Sequence, residues 1–208
     1  MVHFSLFVLM ATILVILPGP DTGLTTQNTI MHGKKGGFQT MLGISCGLVI
    51  HTAAAVLGLS AILVKSAVLF SIFKYVGAVY LLYLGIKSLW ALKNKAAQEP
   101  DETGVHKHQG KSSFRQGFLT NLLNPKVAVF FLTFLPQFVD THSNTLWQFL
   151  LMGVTYTAIT IAWFVFYVLL INTLSVWMKK PAVQRAIQGV SGLVLVGFGI
   201  RLALEKRP

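Results

Sequence analysis

"ILPGPDTGL", residues 16 to 24, interrupts an apolar run that starts at the beginning of the chain, and it sets an acid behind two prolines and a glycine. Proline removes a backbone donor and its ring clashes with the preceding turn, so Pro18 and Pro20 should kink or break a helix here, while Gly19 adds local freedom. The residues that follow, "DTGLTTQNT" (21–29), are polar for an apolar neighbourhood. Backbone freed by proline inside a membrane must find protein or water, so this stretch is expected to line a cavity, with Thr22, Thr25, Thr26 and Asn28 supplying donors and acceptors.

The solvent for most of the chain is lipid. Of 208 residues 54% are hydrophobic and 11% charged, with a mean hydropathy of +0.67, which leaves too few polar groups to coat a soluble globule. Apolar windows of about 19 residues, long enough for a roughly 30 Å hydrocarbon core, recur throughout. Six segments are predicted, at 3–30, 37–63, 67–93, 115–138, 146–177 and 185–204. The first lacks a basic start and a small-residue cleavage site, so it is expected to stay in the mature protein.

The 17 Lys and Arg against 6 Asp and Glu give a formal charge of +11. The basic residues sit at the ends of apolar segments and form no patch interleaved with aromatics, which speaks for cationic loops and against nucleic acid. Loops after the first, third and fifth segments hold ten of them, from Lys34 and Lys35 to Lys179, Lys180 and Arg185, against five on the other side. The positive-inside rule then makes the richer loops cytoplasmic, with both termini outside and six crossings, five crossings being the alternative that the basic tail leaves open. Cys46 is the single cysteine, which excludes an intrachain disulfide and any CxxC site and reads as a packing residue.

"KNKAAQEPDETGVHKHQGKSS" (93–113) is the one long polar connection and reads as a solvated linker between two halves. His106 and His108 within it lack the further ligands a metal site needs. The halves resemble each other. In "VGAVYLLYLGIKSLWALK" (76–93) and "VSGLVLVGFGIRLALEKR" (190–207), Gly85, Ile86 and Lys87 fall on Gly199, Ile200 and Arg201. "PGPD" (18–21) likewise faces "LNPK" (123–126), pairing Pro20 with Pro125 and Asp21 with Lys126. Two copies with three crossings each must lie in opposite orientations, the plan of many secondary transporters, and their interrupted segments should meet and frame a substrate site. The expected fold is an all-α integral membrane protein of six transmembrane helices, built as two inverted three-helix repeats (1–93 and 114–208) joined by a cytoplasmic linker (94–113), with helices 1 and 4 broken by proline.

An ionised Asp at the centre of a lone membrane helix costs on the order of 3 kcal/mol, so Asp21 is expected to have a role: counter-ion to an ammonium, proton carrier, or N-cap of the resuming helix. At the second break, Asn121, Asn124, Pro125 and Lys126 gather, with Pro136 at the far end. Lys126 either snorkels to the interface or serves inside, and a helix starting after Pro125 would aim free N–H groups at an anion. One acid facing one helix N-terminus suits a zwitterion, its ammonium on Asp21 and its carboxylate on backbone N–H groups, Asn121 or Asn124. His51, in the second segment, either relays a proton or is a hydrogen-bonded packing residue. Gly43 and Gly47 in the same segment form a GxxxG pattern that permits close helix packing.

The residues just named carry a resemblance. "PGPD", the following "GKKGGFQTMLGISCG" (33–47) and "GFLTNLLNPK" (117–126) are similar to motifs of the LysE/RhtB family of bacterial amino-acid exporters, across nearly the whole chain. The resemblance implies efflux of an amino acid or derivative across the bacterial cytoplasmic membrane, driven by the proton gradient. Pro18, Gly19, Pro20 and Asp21 match its first motif and Asn124, Pro125 and Lys126 its second; together with the reading of the residues themselves, the expected substrate contacts are Gly19, Pro20, Asp21, Thr22, Asn121, Asn124, Pro125 and Lys126, and the expected proton-coupling residues Asp21 and His51. The partners implied are a zwitterionic substrate, protons and the lipid bilayer, with a homo-oligomer left open; no cofactor, no metal and no nucleic acid. An Asp21 that holds a proton until an ammonium arrives would exchange one for the other. No Walker A sequence is present. A membrane-embedded enzyme is the poorest alternative, since Ser45 and His51 share a helix without a third orienting group. A channel or a carrier for another small solute is the remaining one.

Overall fold

The computed structural model describes residues 4–59, 67–93, 112–140, 143–171 and 180–204. Among these every regular element is helical. α1 (Phe4–Ile16) stops at the two prolines, and α2 (Pro20–Ala54) follows after three residues and ends in a π turn, Ala55–Leu59. α3 is Ala67–Lys93, α4 Ser113–Leu122 and α5 Pro125–Val129, the last continued by a π turn (Phe130–Phe134) and a 3-10 turn (Leu135–Phe138). α6 is Thr145–Leu169 and α7 Pro181–Leu204.

By length and composition, two described stretches can cross a bilayer, Pro20–Gly58 and Thr145–Leu169, and Ser113–Leu122 with Pro125–Phe138, bent by 45°, makes a third. Straight, the 39 residues of Pro20–Gly58 would reach roughly 58 Å, about twice the hydrocarbon thickness. They do not run straight. Gly33 has φ 65° and ψ −170°, a conformation that costs glycine nothing and other residues much, and α2 folds there into two antiparallel arms, 20–32 and 34–54. Asn28 Nδ2 on the first arm donates to Thr40 Oγ1 on the second at 2.9 Å and to Gln116 Oε1 of α4 at 3.3 Å. Gly37 lies so close to Thr29 that a Cβ would overlap the threonine hydroxyl.

The structure thus distributes six expected segments over seven helices, because proline breaks divide the first and fourth while α2 counts its two arms, kinked at Gly33, as one element. The linker 94–113 lies almost wholly outside the described residues; only its end is seen, where Ser112 Oγ caps α4 by accepting from the Arg115 N–H at 3.3 Å.

With lipid tails as apolar as leucine, helix association rests on close packing and buried polar bonds. The second arm of α2 seats α4 through glycines. A Cβ on Gly43 would overlap the Phe114 backbone, and one on Gly117 the Thr40 backbone. α3 packs on α7 in the same way, and the contacts are reciprocal. Gly85 faces Gly192 and Val196, while Gly199 faces Ala78 and Leu82, which are the same positions under the alignment of 76–93 with 190–207. An aromatic core of Phe7, Phe130, Phe131, Phe134, Phe138 and Tyr156, all buried, joins α1, the turns after α5, and α6 through ring contacts of 5.0 to 6.3 Å.

Candidate functional site

Each proline frees a carbonyl four residues earlier, and the two breaks satisfy these from across the molecule. Pro18 has no N–H for Leu14, and the Lys126 ammonium donates to the Leu14 carbonyl at 3.2 Å and to that of Leu17 at 2.9 Å. A cation on the last carbonyls of a helix also opposes its negative dipole end. Gly19 makes this possible, since a Cβ there would lie 3.1 Å from Lys126 Nζ. Pro125 in turn has no N–H for Asn121, whose carbonyl accepts from the Asn124 N–H at 3.0 Å and from His51 Nε2 at 3.3 Å. An aspartate has no use for carbonyls, and Asp21 takes a side-chain donor instead: Asn121 Nδ2 donates to its Oδ2 at 2.8 Å. Each charge that follows a break is therefore held by the last turn before the other break.

Two sequence expectations change here. Asp21 is not the N-cap of α2; Gly19 holds that place without a side-chain cap, Pro20 fills the first helical position, and Asp21 falls in the first turn with its carboxylate on Asn121. The helix after Pro125 also offers an anion fewer free N–H groups than expected. Asn124 caps it, its Oδ1 accepting from the Lys126 N–H at 3.0 Å, and only five residues are α-helical before the π turn.

Between the breaks lies a cavity of about 20 Å³, lined by Asp21, Thr22, Asn121, Lys126, Tyr156 and Thr160 among polar residues and by Leu14, Val15, Leu48, Val127 and Phe164 among apolar ones. Of the predicted site residues, Asp21, Thr22, Asn121 and Lys126 come together on its wall. Gly19, Pro20, Asn124 and Pro125 shape the breaks and do not line it, and His51 stands behind Asn121. Thr25, Asn28 and Thr29 are buried but bond within the α2 hairpin or to Gln116.

The polar wall is incompletely satisfied. Asp21 Oδ1 and Asn121 Oδ1 are buried without a partner, as is Asn124 Nδ2 just behind. The Lys126 ammonium has three N–H groups and spends two on α1. Asp21 and Lys126 share the wall, yet each takes neutral partners and they form no ion pair. Native interiors leave few polar atoms unpaired, so such a gathering asks for a reason.

Sequence reasoning missed Tyr156, Thr160 and Phe164 of α6. Their signal was a one-sided stripe, Gly153, Tyr156, Thr160 and Phe164 at helical spacing, within a segment apolar all round.

The family profile described as LysE type translocator matches residues 12–206 of the chain. The chain belongs to the LysE type translocators. It is 38% identical to YrhP, an uncharacterised membrane protein of Bacillus subtilis (strain 168), over 96% of this chain and 97% of the relative. It is 32% identical to the leucine efflux protein of Enterobacter sp. (strain 638), covering 97% and 95%, and 31% identical to that of Salmonella choleraesuis (strain SC-B67), covering 93% and 91%. No solved structure matches it. The translocator is therefore a multi-pass bacterial membrane protein and a transporter, not an enzyme.

Proposed function

We propose that this translocator exports an amino acid with an aliphatic side chain from the cytoplasm in exchange for a proton. The observation that carries this reading is the separated pair of opposite charges on one cavity wall. A zwitterion supplies what each lacks, its ammonium going to Asp21 Oδ1 and Asn121 Oδ1 and its carboxylate to the third N–H of Lys126 and the hydroxyl of Thr22. That hydroxyl, unlike those of Thr25, Thr26 and Thr29, makes no hydrogen bond among the described residues. The remaining wall, Leu14, Val15, Leu48, Val127 and Phe164, offers only apolar contact, which suits a branched aliphatic chain and agrees with the names of the leucine efflux relatives.

A cavity of about 20 Å³ is far below the few hundred Å³ of a ligand-bearing pocket, so transport requires the helices around it to part. The inverted two-repeat plan, 1–93 and 114–208 about a cytoplasmic linker with both termini outside, supplies such a movement as rocking of one half against the other. The reciprocal packing of α3 and α7 supports it. One proton falling through 100 mV supplies about 2.3 kcal/mol, enough to hold roughly a fortyfold gradient of a neutral zwitterion.

The test is counterflow in proteoliposomes with a panel of labelled amino acids. Leucine and its branched neighbours should exchange fastest and lysine and aspartate least; if no amino acid exchanges, the reading of the site as a zwitterion site falls.

A further inference from the structure

We infer that Tyr156 is a substrate-contacting residue, its hydroxyl donating to the carboxylate of the bound zwitterion. This deepens the reading of the cavity given above and rests on it. Tyr156 is 2% exposed and lines the cavity with Asp21, Thr22 and Lys126. Its ring is fixed on two sides, 5.0 Å from Phe130 and 5.4 Å from Phe131, centroid to centroid. Its backbone carbonyl is occupied by the Thr160 hydroxyl at 2.9 Å. The Tyr156 hydroxyl, however, makes no hydrogen bond among the described residues, whereas the other buried tyrosine of α6, Tyr167, bonds the Thr26 hydroxyl at 2.7 Å. Buried tyrosine hydroxyls ordinarily find a partner, and phenylalanine would fill the same aromatic core without the need for one.

Donor arithmetic says which ligand group the hydroxyl serves. A carboxylate has two oxygens and room for about four hydrogen bonds. The wall offers it one remaining ammonium N–H, the Thr22 hydroxyl and the second N–H of the Asn121 amide, whose first is held by Asp21, while Asn124 does not line the cavity. Thr160 is spent on the Tyr156 carbonyl. Tyr156 supplies the fourth donor, the number that fills the carboxylate.

The experiment compares wild type and Tyr156→Phe in proteoliposomes, using labelled leucine counterflow and inhibition by unlabelled 3-methylbutylamine, which is leucine without its carboxylate. The expected result is a KM for leucine raised roughly tenfold, with inhibition by the amine unchanged; the unchanged amine also certifies that the variant is folded. A leucine KM within twofold of wild type, or equal weakening of leucine and amine, would overturn the role of Tyr156 and leave the zwitterion site standing. Failure of the wild type itself to exchange leucine would bring down both.

Discussion

Asp21 and Lys126 are struts between the two breaks, and in the proposed site they serve as ligands as well. Both sit directly after a proline, both use part of their bonding capacity to close the opposite helix end, and both keep part of it unspent. Removing the strut alone is informative. Asn121→Leu keeps the volume but strips Asp21 Oδ2 of its donor, and a charged acceptor left bare in a buried place costs about 2 kcal/mol. The variant should melt several degrees below wild type in detergent, and its leucine exchange should fall at least tenfold; unaltered melting would mean that the 2.8 Å bond does no structural work. Lys126→Met should also unfold the end of α1, since the Leu14 and Leu17 carbonyls would lose their donor, and hydrogen exchange at 14–17 should rise against α6 as internal reference. That Asp21 and Lys126 would meet where the two breaks come together was legible in the sequence, because a charge beside a proline in an apolar run has few uses. Tyr156 was harder to see, because in a helix apolar all round the stripe Gly153, Tyr156, Thr160 and Phe164 stands out little from its neighbours.

At the scale of the element, glycine position decides the outcome of substitution. Gly23 has open space around it in an ordinary helical conformation, whereas Gly33, equally open, sits at φ 65°. Gly23→Ala should therefore stabilise by up to about 1 kcal/mol through helix propensity, and Gly33→Ala should destabilise by about 1–2 kcal/mol through backbone strain alone. Equal effects in thermal melts would contradict the hairpin turn. Gly47 links packing to the site, for a Cβ there would lie 2.6 Å from Asn121 Oδ1. Gly47→Ala should displace Asn121 and weaken leucine exchange more than it weakens the fold. The broken first and fourth segments could be read directly from Pro18, Pro20 and Pro125. The hairpin was expected as a loop between the segments ending at 30 and starting at 37, and what the sequence did not show is how short it is, since "GKKGG" (33–37) turns at Gly33 alone.

On the scale of the whole molecule, the proposed architecture is a pair of halves meeting at a cavity closed to substrate. That proposal starts from the repeated sequence in 76–93 and 190–207, and it is supported by the reciprocal contacts of Gly85 and Gly199, which are those that two-fold related helices make. Orientation follows from charge and can be mapped. In a Cys46→Ser background, Lys35→Cys should react with a membrane-impermeant thiol reagent only from the cytoplasmic face, and Ser143→Cys only from the outside; both positions are exposed. Labelling from the same face would break the proposed topology. The central claim, that the acid at the first break couples substrate to protons, is tested most directly by leucine efflux from preloaded proteoliposomes under an imposed pH gradient and membrane potential, with wild type beside Asp21→Asn. The account predicts gradient-driven efflux in the wild type and its loss in the variant. Efflux from Asp21→Asn that still follows the gradient would contradict it.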